Sequence, residues 1–394
     1  VIVNPKWLIL PGAYRRNSDG VLFPTADPIG DCIRAAANGD DAQMAPGEFP
    51  RQRGSIGGRR GFHLCGWDRR LGLSIIKRDE LVGSSDNLLL QDGDREFVIE
   101  SVNIELDDRA GVKTTNTVGP RNNLLDVMMY GRGSPYDPTW TDSAKWGVHA
   151  YQTSGWAEVR VYKWSIYGEH GGYFHNIQGD HGFAEGGVGR LGGCDLFFAN
   201  RMNEGPPGKG DVTIRDRTIE DVCIGQGGSA LTFRGGMPDS TIRLERVKAR
   251  LGCKPQLAAP FNQNICGVLS VDSADETAPG KGDAAWPGGT LACYVTDCDF
   301  EVGTIYPGRT GMIRPVISIA ACCLFEMDGT RLHVNRAPGA YPIALSLSTS
   351  VNTVSISRQN DVQGWIEWHP DGPDGARFTS LNDFLDAHPE CEKT

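Results

Sequence analysis

The sequence contains no run of 18 apolar residues, which excludes a membrane-spanning helix. It is also short of positive charge: 39 Lys and Arg stand against 49 Asp and Glu, a net charge of -10. That balance argues against a nucleic-acid-binding surface. It also disfavours a purely electrostatic grip on an acidic polymer, leaving that task to a local Arg/Lys groove. No Gly-x-x-x-x-Gly-Lys-Ser/Thr loop is present and no Gly-x-Gly-x-x-Gly opens a helix, so phosphoryl and hydride transfer have no sequence support. A Gly-x-Ser-x-Gly nucleophile elbow is missing too. Cysteine pairs with Cys-x-x-Cys spacing are absent, which leaves zinc without paired ligands. The 11 cysteines are odd in number, so at least one is free or pairs between chains. Most read as buried thiols acting as small apolar groups, with Cys293–Cys298 the candidate disulfide. Cys322 and Cys323 are adjacent and alternate across a strand.

Helical periodicity is nearly absent from the middle of the chain, and short β-type runs take its place. The 51 glycines and 23 prolines among 394 residues favour a turn-rich chain of such strands. Apolar and polar residues alternate in many runs, the mark of a half-buried strand. Val98, Val102, Ile104 and Leu106 share one phase, with Glu100 the exception in it. Thr213-Ile214-Arg215 recurs as Thr241-Ile242-Arg243, which suggests a coil of 28 residues. Residues 1–30, broken by Pro5, Pro11, Pro24 and Pro28, read as an irregular lead-in. Residues 31–370 form the main domain and 371–394 a C-terminal segment. In that segment Ser380 is the expected N-cap of a helix, with Asp383 in its first turn and Leu381, Phe384 and Leu385 apolar. A sandwich or a propeller is the alternative architecture, although propeller blades would repeat more regularly, at about 40–50 residues.

The opening of the domain is more specific. Ile33, Ala36 and Ala37 fit one face of a short helix that Gly39 stops. A strand and a Pro-Gly turn follow at AQMAPGEF, then FHLCGWDRRLGLSII. The pattern over Asp31 to Gly39, Pro46 to Phe49 and Gly57 to Ile76 resembles the start of pectate-lyase-like right-handed β-helix proteins. The resemblance implies an all-β, single-stranded right-handed parallel β-helix with a short N-terminal capping helix, loop insertions and a C-terminal helix. The polar inserts GSPYDPTWTDSAKW, NEGPPGKGD, LGCKPQLAAPFNQN and ADETAPGKGDAAWPGG then read as loops at coil corners, where solenoids wall their binding grooves. Trp140, Trp146, Trp156, Trp164 and Trp286 lie in or near them. Each suits stacking on a sugar ring, or packing beneath a loop.

Titratable groups concentrate in Gly168–Asn200, which holds His170, His175, His181, Glu169, Asp180, Glu185, Asp195, Tyr173 and Arg190. The family likeness implies cleavage of an acidic, uronic-acid-containing polysaccharide by β-elimination. That reaction needs a base for the proton beside the carboxylate, a group to neutralise the carboxylate, and an acid for the leaving oxygen. β-Helix lyases commonly use Arg or Lys as the base with Ca²⁺ held by acids, whereas other lyases use His and Tyr. The expected acid/base residues are His170, His175 and His181, with Tyr173 as proton donor and Arg190 or Arg234 as neutraliser. Lys163, Arg234, Trp156 and Trp164 are the substrate-binding candidates, and Arg160, Arg201, Arg215 and Arg243 are further cations for adjacent coils.

A glycoside hydrolase on the same scaffold would use paired carboxylates from Glu169, Asp180, Glu185, Asp195, Asp216 and Glu220. β-Helix glycosidases carry a pattern of the type NTD…DD…GHG. Here only GDHG at Gly179–Gly182 is present, which weakens that alternative. A metal site from Glu169, Asp180 and the three histidines is a third option, for Ca²⁺ or for zinc, although no motif demands a cofactor. His63, His149, His333, His369 and His388 read as unclustered structural residues. An epimerase, or a non-catalytic tailspike-like or adhesion protein that binds glycans, are further alternatives, and homotrimers are common among β-helix surface proteins. Because the chain opens on Val1, a removed signal peptide and a secreted or periplasmic location are the expectation.

Overall fold

In the computed structural model of this chain, most strands pair in parallel with the third strand after them. The structure describes residues 2–51, 56–57, 61–67, 73–77, 88–91, 97–105, 110–115, 123–125, 127–130, 144–151, 163–165, 168–175, 181–184, 194–199, 210–220, 229–235, 239–251, 267–272, 291–302, 315–320, 322–334, 342–348, 351–369 and 376–393. The cycle is plainest in the second half. Ser240–Glu245, Lys248–Leu251 and Leu269–Asp272 pair in turn with Leu291–Thr296, Asp299–Val302 and Ile317–Ile319. The third position of the cycle builds one 12-stranded sheet, which runs from Ile56–Gly57 to Ala376–Phe378. The first position is filled by a seven-stranded and then a six-stranded sheet, the second by two five-stranded sheets. The chain is thus all-β, with stacked parallel strands. Among the described residues no helix is long and apolar enough to cross a membrane.

Parallel stacking places like residues above one another, and the core follows from that. One interior column of the large sheet runs from Val112 and Val148 through Leu196, Leu231 and Leu269 to Ile366, all inaccessible to solvent. Gly172 belongs to the same column. A Cβ there would stand 2.4 Å from the buried Phe174 ring, so only glycine leaves that ring its place. Phe174 belongs to a second column in which it stacks on Phe198 and Phe198 on Phe233, with ring centroids 5.0 and 4.6 Å apart.

In five coils the backbone between the first and second strands of a cycle turns on one residue of positive φ. Ser101, Asp216, Arg246, Asp297 and Gly329 hold this position, with φ between 51° and 57°. The residue after each is buried: Val102, Arg217, Val247, Cys298 and Thr330. This corner explains the irregular phase noted at Glu100. Phe97 and Ile99 are the buried residues of their strand and Glu100 lies on its other side. The turn at Ser101 then resets the alternation, so that Val102 and Ile104 point inward. The period of two therefore runs through Phe97 and Ile99 before the corner, not through Val98 and Glu100. The 28-residue repeat is corrected as well. Thr213 lies in register with Arg243, 30 residues on, and Ile214 with Leu244. A shift of two residues preserves strand alternation, so composition could not distinguish the two registers.

Both ends depart from parallel pairing. The lead-in expected to be irregular contains Trp7–Leu10, Ala13–Arg16 and Leu22–Pro24, joined antiparallel. Pro24 is tolerated because Leu22–Pro24 ends the sheet and owes no further ladder bond on its outer side. Pro28 does not break structure but starts the helix Pro28–Ala35, where its missing N–H costs nothing, and Asp27 caps Gly30 N at 3.1 Å. At the other end Ala376–Phe378 pairs antiparallel with Trp365–His369. The helix Leu381–Ala387 is capped by Ser380 through Asp383 N, as its sequence indicated, and buries Leu381, Phe384 and Leu385.

Charges of alternating sign form rows on the second five-stranded sheet. Lys248, Asp299, Arg331 and Asp361 are successive register partners. Asp299 bonds Arg250, and Arg331 at 2.6 Å. Partial burial raises the Asp299 carboxyl, but the two guanidinium bonds outweigh it and hold the carboxyl below its ordinary range. Lys393 does the same to Asp328. A carboxyl with a depressed folded pKa adds stability above its unfolded value of about 3.9, and that stability is lost as pH falls through the folded value. Thermal melts should therefore show the melting temperature falling as pH drops below about 4. Asp299→Asn should destabilise at pH 7 and have little effect once the wild-type carboxyl is protonated; an equal effect at both pH values would overturn this account.

Candidate functional site

The strand Gly168–His175 lies inside the large sheet, between Ala144–Tyr151 and Cys194–Ala199. Gly171, Gly172 and Phe174 are buried, and Tyr173 and His175 occupy the strand positions that alternate with Gly172 and Phe174. Tyr173 is in register with His149 on one side and Phe197 on the other. His175 is in register with Tyr151 and Ala199, Ala199 in turn with Arg234, and Arg234 with Asp272. One row across the sheet therefore reads Tyr151, His175, Ala199, Arg234, Asp272. The row beside it, two residues earlier, reads Lys113, His149, Tyr173, Phe197, Thr232. Strands lie about 4.8 Å apart, so His175 and Arg234, two strands apart, are separated by about 10 Å.

The other predicted residues divide among several places. His170 has the parity of Gly172 and Phe174, opposite to that of Tyr173 and His175. His181 begins the strand His181–Ala184 of the six-stranded sheet, in register with Val212. It therefore stands on a different sheet from His170 and His175. Lys163 and Trp164 occupy the first five-stranded sheet, in register with Met128 and Met129. Glu169 precedes His170 on its strand. Trp156, Asp180, Glu185 and Arg190 lie outside the described residues. Arg215 and Arg243 are on the six-stranded sheet, and Arg243 lies over the Tyr294 ring at 4.6 Å.

Two of the candidate acids are already committed. Asp195 is buried and takes a bidentate bond from buried Arg217, with Nη2 to Oδ1 at 2.6 Å. Asp216 takes two bonds from Arg246, at 2.6 and 2.9 Å, and Arg246 holds its carboxyl below the usual range. Asp195 is thereby kept from reaching substrate, and the lowered carboxyl of Asp216 does not suit the proton-holding acid of a hydrolase.

Two further expectations are corrected. Cys293 and Cys298 form no disulfide; both are free and buried, as are Cys32, Cys65, Cys322 and Cys391. Burial raises the Cys298 thiol to about 12 and that of Cys391 to about 11, in keeping with their apolar role. His63, read as unclustered, gathers with Cys65 and Glu100, their ligand atoms all within 4.8 Å of one another. The sequence signal was His-x-Cys on one strand, which puts both residues on one side. The third member comes from the next coil and has no sequence signature. Comparison of the chain with family models, with curated proteins and with solved structures finds no match in any of the three.

Proposed function

We propose that the chain is a single-stranded right-handed parallel β-helix that cleaves an acidic polysaccharide by β-elimination on its 12-stranded sheet. The three-step pairing cycle supports the fold, because a coil that returns to the same sheet every third strand is how a β-helix is wound. The observation that carries the reaction is the row linking His175 to Arg234, with Tyr173 in the next row. A uronate bound across these strands would present its carboxylate to Arg234, which neutralises the charge that develops there. His175 would remove the proton beside that carboxylate. The electrons of that C–H bond form the new double bond, the glycosidic C–O bond breaks, and Tyr173 returns a proton to the leaving oxygen. His149 is the register partner of Tyr173 on the neighbouring strand.

The assay is ultraviolet absorbance of the unsaturated sugar during incubation with a panel of uronic-acid polysaccharides, with and without EDTA. Absorbance should rise, and His175→Ala and Tyr173→Phe should each slow the rise by about 10²–10⁴-fold. Arg234→Ala should act chiefly on turnover, because its charge matters most in the transition state. New reducing ends without a rise in absorbance would replace elimination by hydrolysis. No change on any polymer, with glycan binding retained, would establish the binding-only alternative.

A further inference from the structure

We propose that His63, Cys65 and Glu100 form a site for a zinc-class divalent metal on the outside of the seven-stranded sheet. His63 and Cys65 belong to the strand Phe62–Cys65, on the side opposite its buried Leu64. Glu100 ends the strand Phe97–Glu100 and is the register partner of Cys65. One imidazole, one thiol and one carboxylate thus converge from two neighbouring coils.

The donor set decides the metal. Thiolate and imidazole are the ligands of zinc and its borderline-soft neighbours, whereas Ca²⁺ takes oxygens. Zinc bonds of about 2.0–2.3 Å in a tetrahedron set neighbouring ligand atoms about 3.3–3.6 Å apart. The three ligand atoms lie within 4.8 Å of one another, and His63 Nε2 is 3.0 Å from Glu100 Oε2, so a metal requires that pair to open slightly and any wider pair in the group to close in. Cys65 is buried while the His63 and Glu100 side chains are 33% and 35% exposed, so a metal held by the three would have its fourth position on the solvent side. Three protein ligands with an open fourth position is the arrangement that holds an exchangeable water.

The backbone around the thiol is braced. Gln43, itself 1% exposed, donates to Cys65 O at 3.1 Å and to Gly66 O at 2.7 Å. A Cβ on Gly66 would stand 2.0 Å from Ser101 O, so this glycine permits the close approach that brings Cys65 up to Glu100. The Cys65 thiol donates to Gly66 O at 3.3 Å. On binding, the S–H bond breaks, its proton passes to the buffer and the sulfur–metal bond forms. The hydrogen bond between His63 and Glu100 gives way to two metal bonds.

The test is a titration of the reduced, metal-free chain with Co²⁺, followed by Zn²⁺. One equivalent of Co²⁺ should produce a thiolate-to-cobalt charge-transfer band, which Zn²⁺ should abolish by displacement. Cys65→Ser should remove the band. His63→Gln, at a partly exposed position where folding is not at risk, should weaken Zn²⁺ binding by at least about tenfold. Circular dichroism confirms that each variant is folded. Absence of the band in the wild type, its persistence in Cys65→Ser, or unchanged Zn²⁺ affinity in folded His63→Gln would each overturn the proposal.

Discussion

Replacing Asp195 by alanine should lower the unfolding free energy by about 3–5 kcal/mol, because it strips a fully buried guanidinium of its carboxylate. Arg217 occupies a corner position that other coils give to Val247 and Cys298, and its side chain is 0% exposed. The backbone links Lys248 N to Arg217 O and Asp299 N to Val247 O, so these corner residues stack directly. An arginine in that column is tolerated because Asp195 meets it with both oxygens. Breaking a buried pair from one side is much costlier than replacing both partners with apolar groups of similar volume. The double variant Asp195→Leu/Arg217→Met should therefore recover most of the loss. Urea unfolding of the two single variants and the double variant measures this directly. A cost below about 1 kcal/mol for Asp195→Ala, the size of an exposed ion pair, would show that the pair is not the anchor of this corner.

Truncating Phe198 to alanine should cost a similar amount, about 3–5 kcal/mol, through lost burial and the cavity left behind. Phe198 is the middle ring of three, at interplanar angles of 17° to Phe174 and 1° to Phe233. Each aromatic pair adds about 0.5–1.5 kcal/mol beyond its buried area. The middle position loses two such contacts, so Phe198→Ala should exceed Phe233→Ala when both are measured by chemical denaturation. Phe198→Leu should retain more than half of the stability. Ala199, the next residue, lies between His175 and Arg234 in register, so relaxation around the cavity would also alter the spacing of the proposed catalytic row. If Phe198→Ala and Phe233→Ala cost the same, the stack contributes area and nothing more.

Short alternating runs, turn residues and the Ser380 cap made the strand-rich class and the C-terminal helix legible, because both depend on neighbours in the chain. The phase of individual strands was less legible. A single residue of positive φ at Ser101 resets alternation, and a serine carries no advance sign of that conformation. The candidate site was legible only as a composition of histidines, acids and a tyrosine. Parity within the strand already separated His170 from His175. That His181 starts a strand on another sheet, and that Arg234 shares a row with His175, depends on where each coil turns.

By itself, the sequence determined what local interactions decide: strands rather than helices, the terminal helix and its cap, and a surface poor in positive charge. The tertiary structure alone decided which residues meet across coils. The 30-residue step from Thr213 to Arg243, the bond from Arg217 to Asp195 and the approach of Glu100 to His63 are of this kind. The reason is physical: strand alternation is indifferent to shifts of two residues, so register is set by the packing of interior columns and by the lengths of the turns between them.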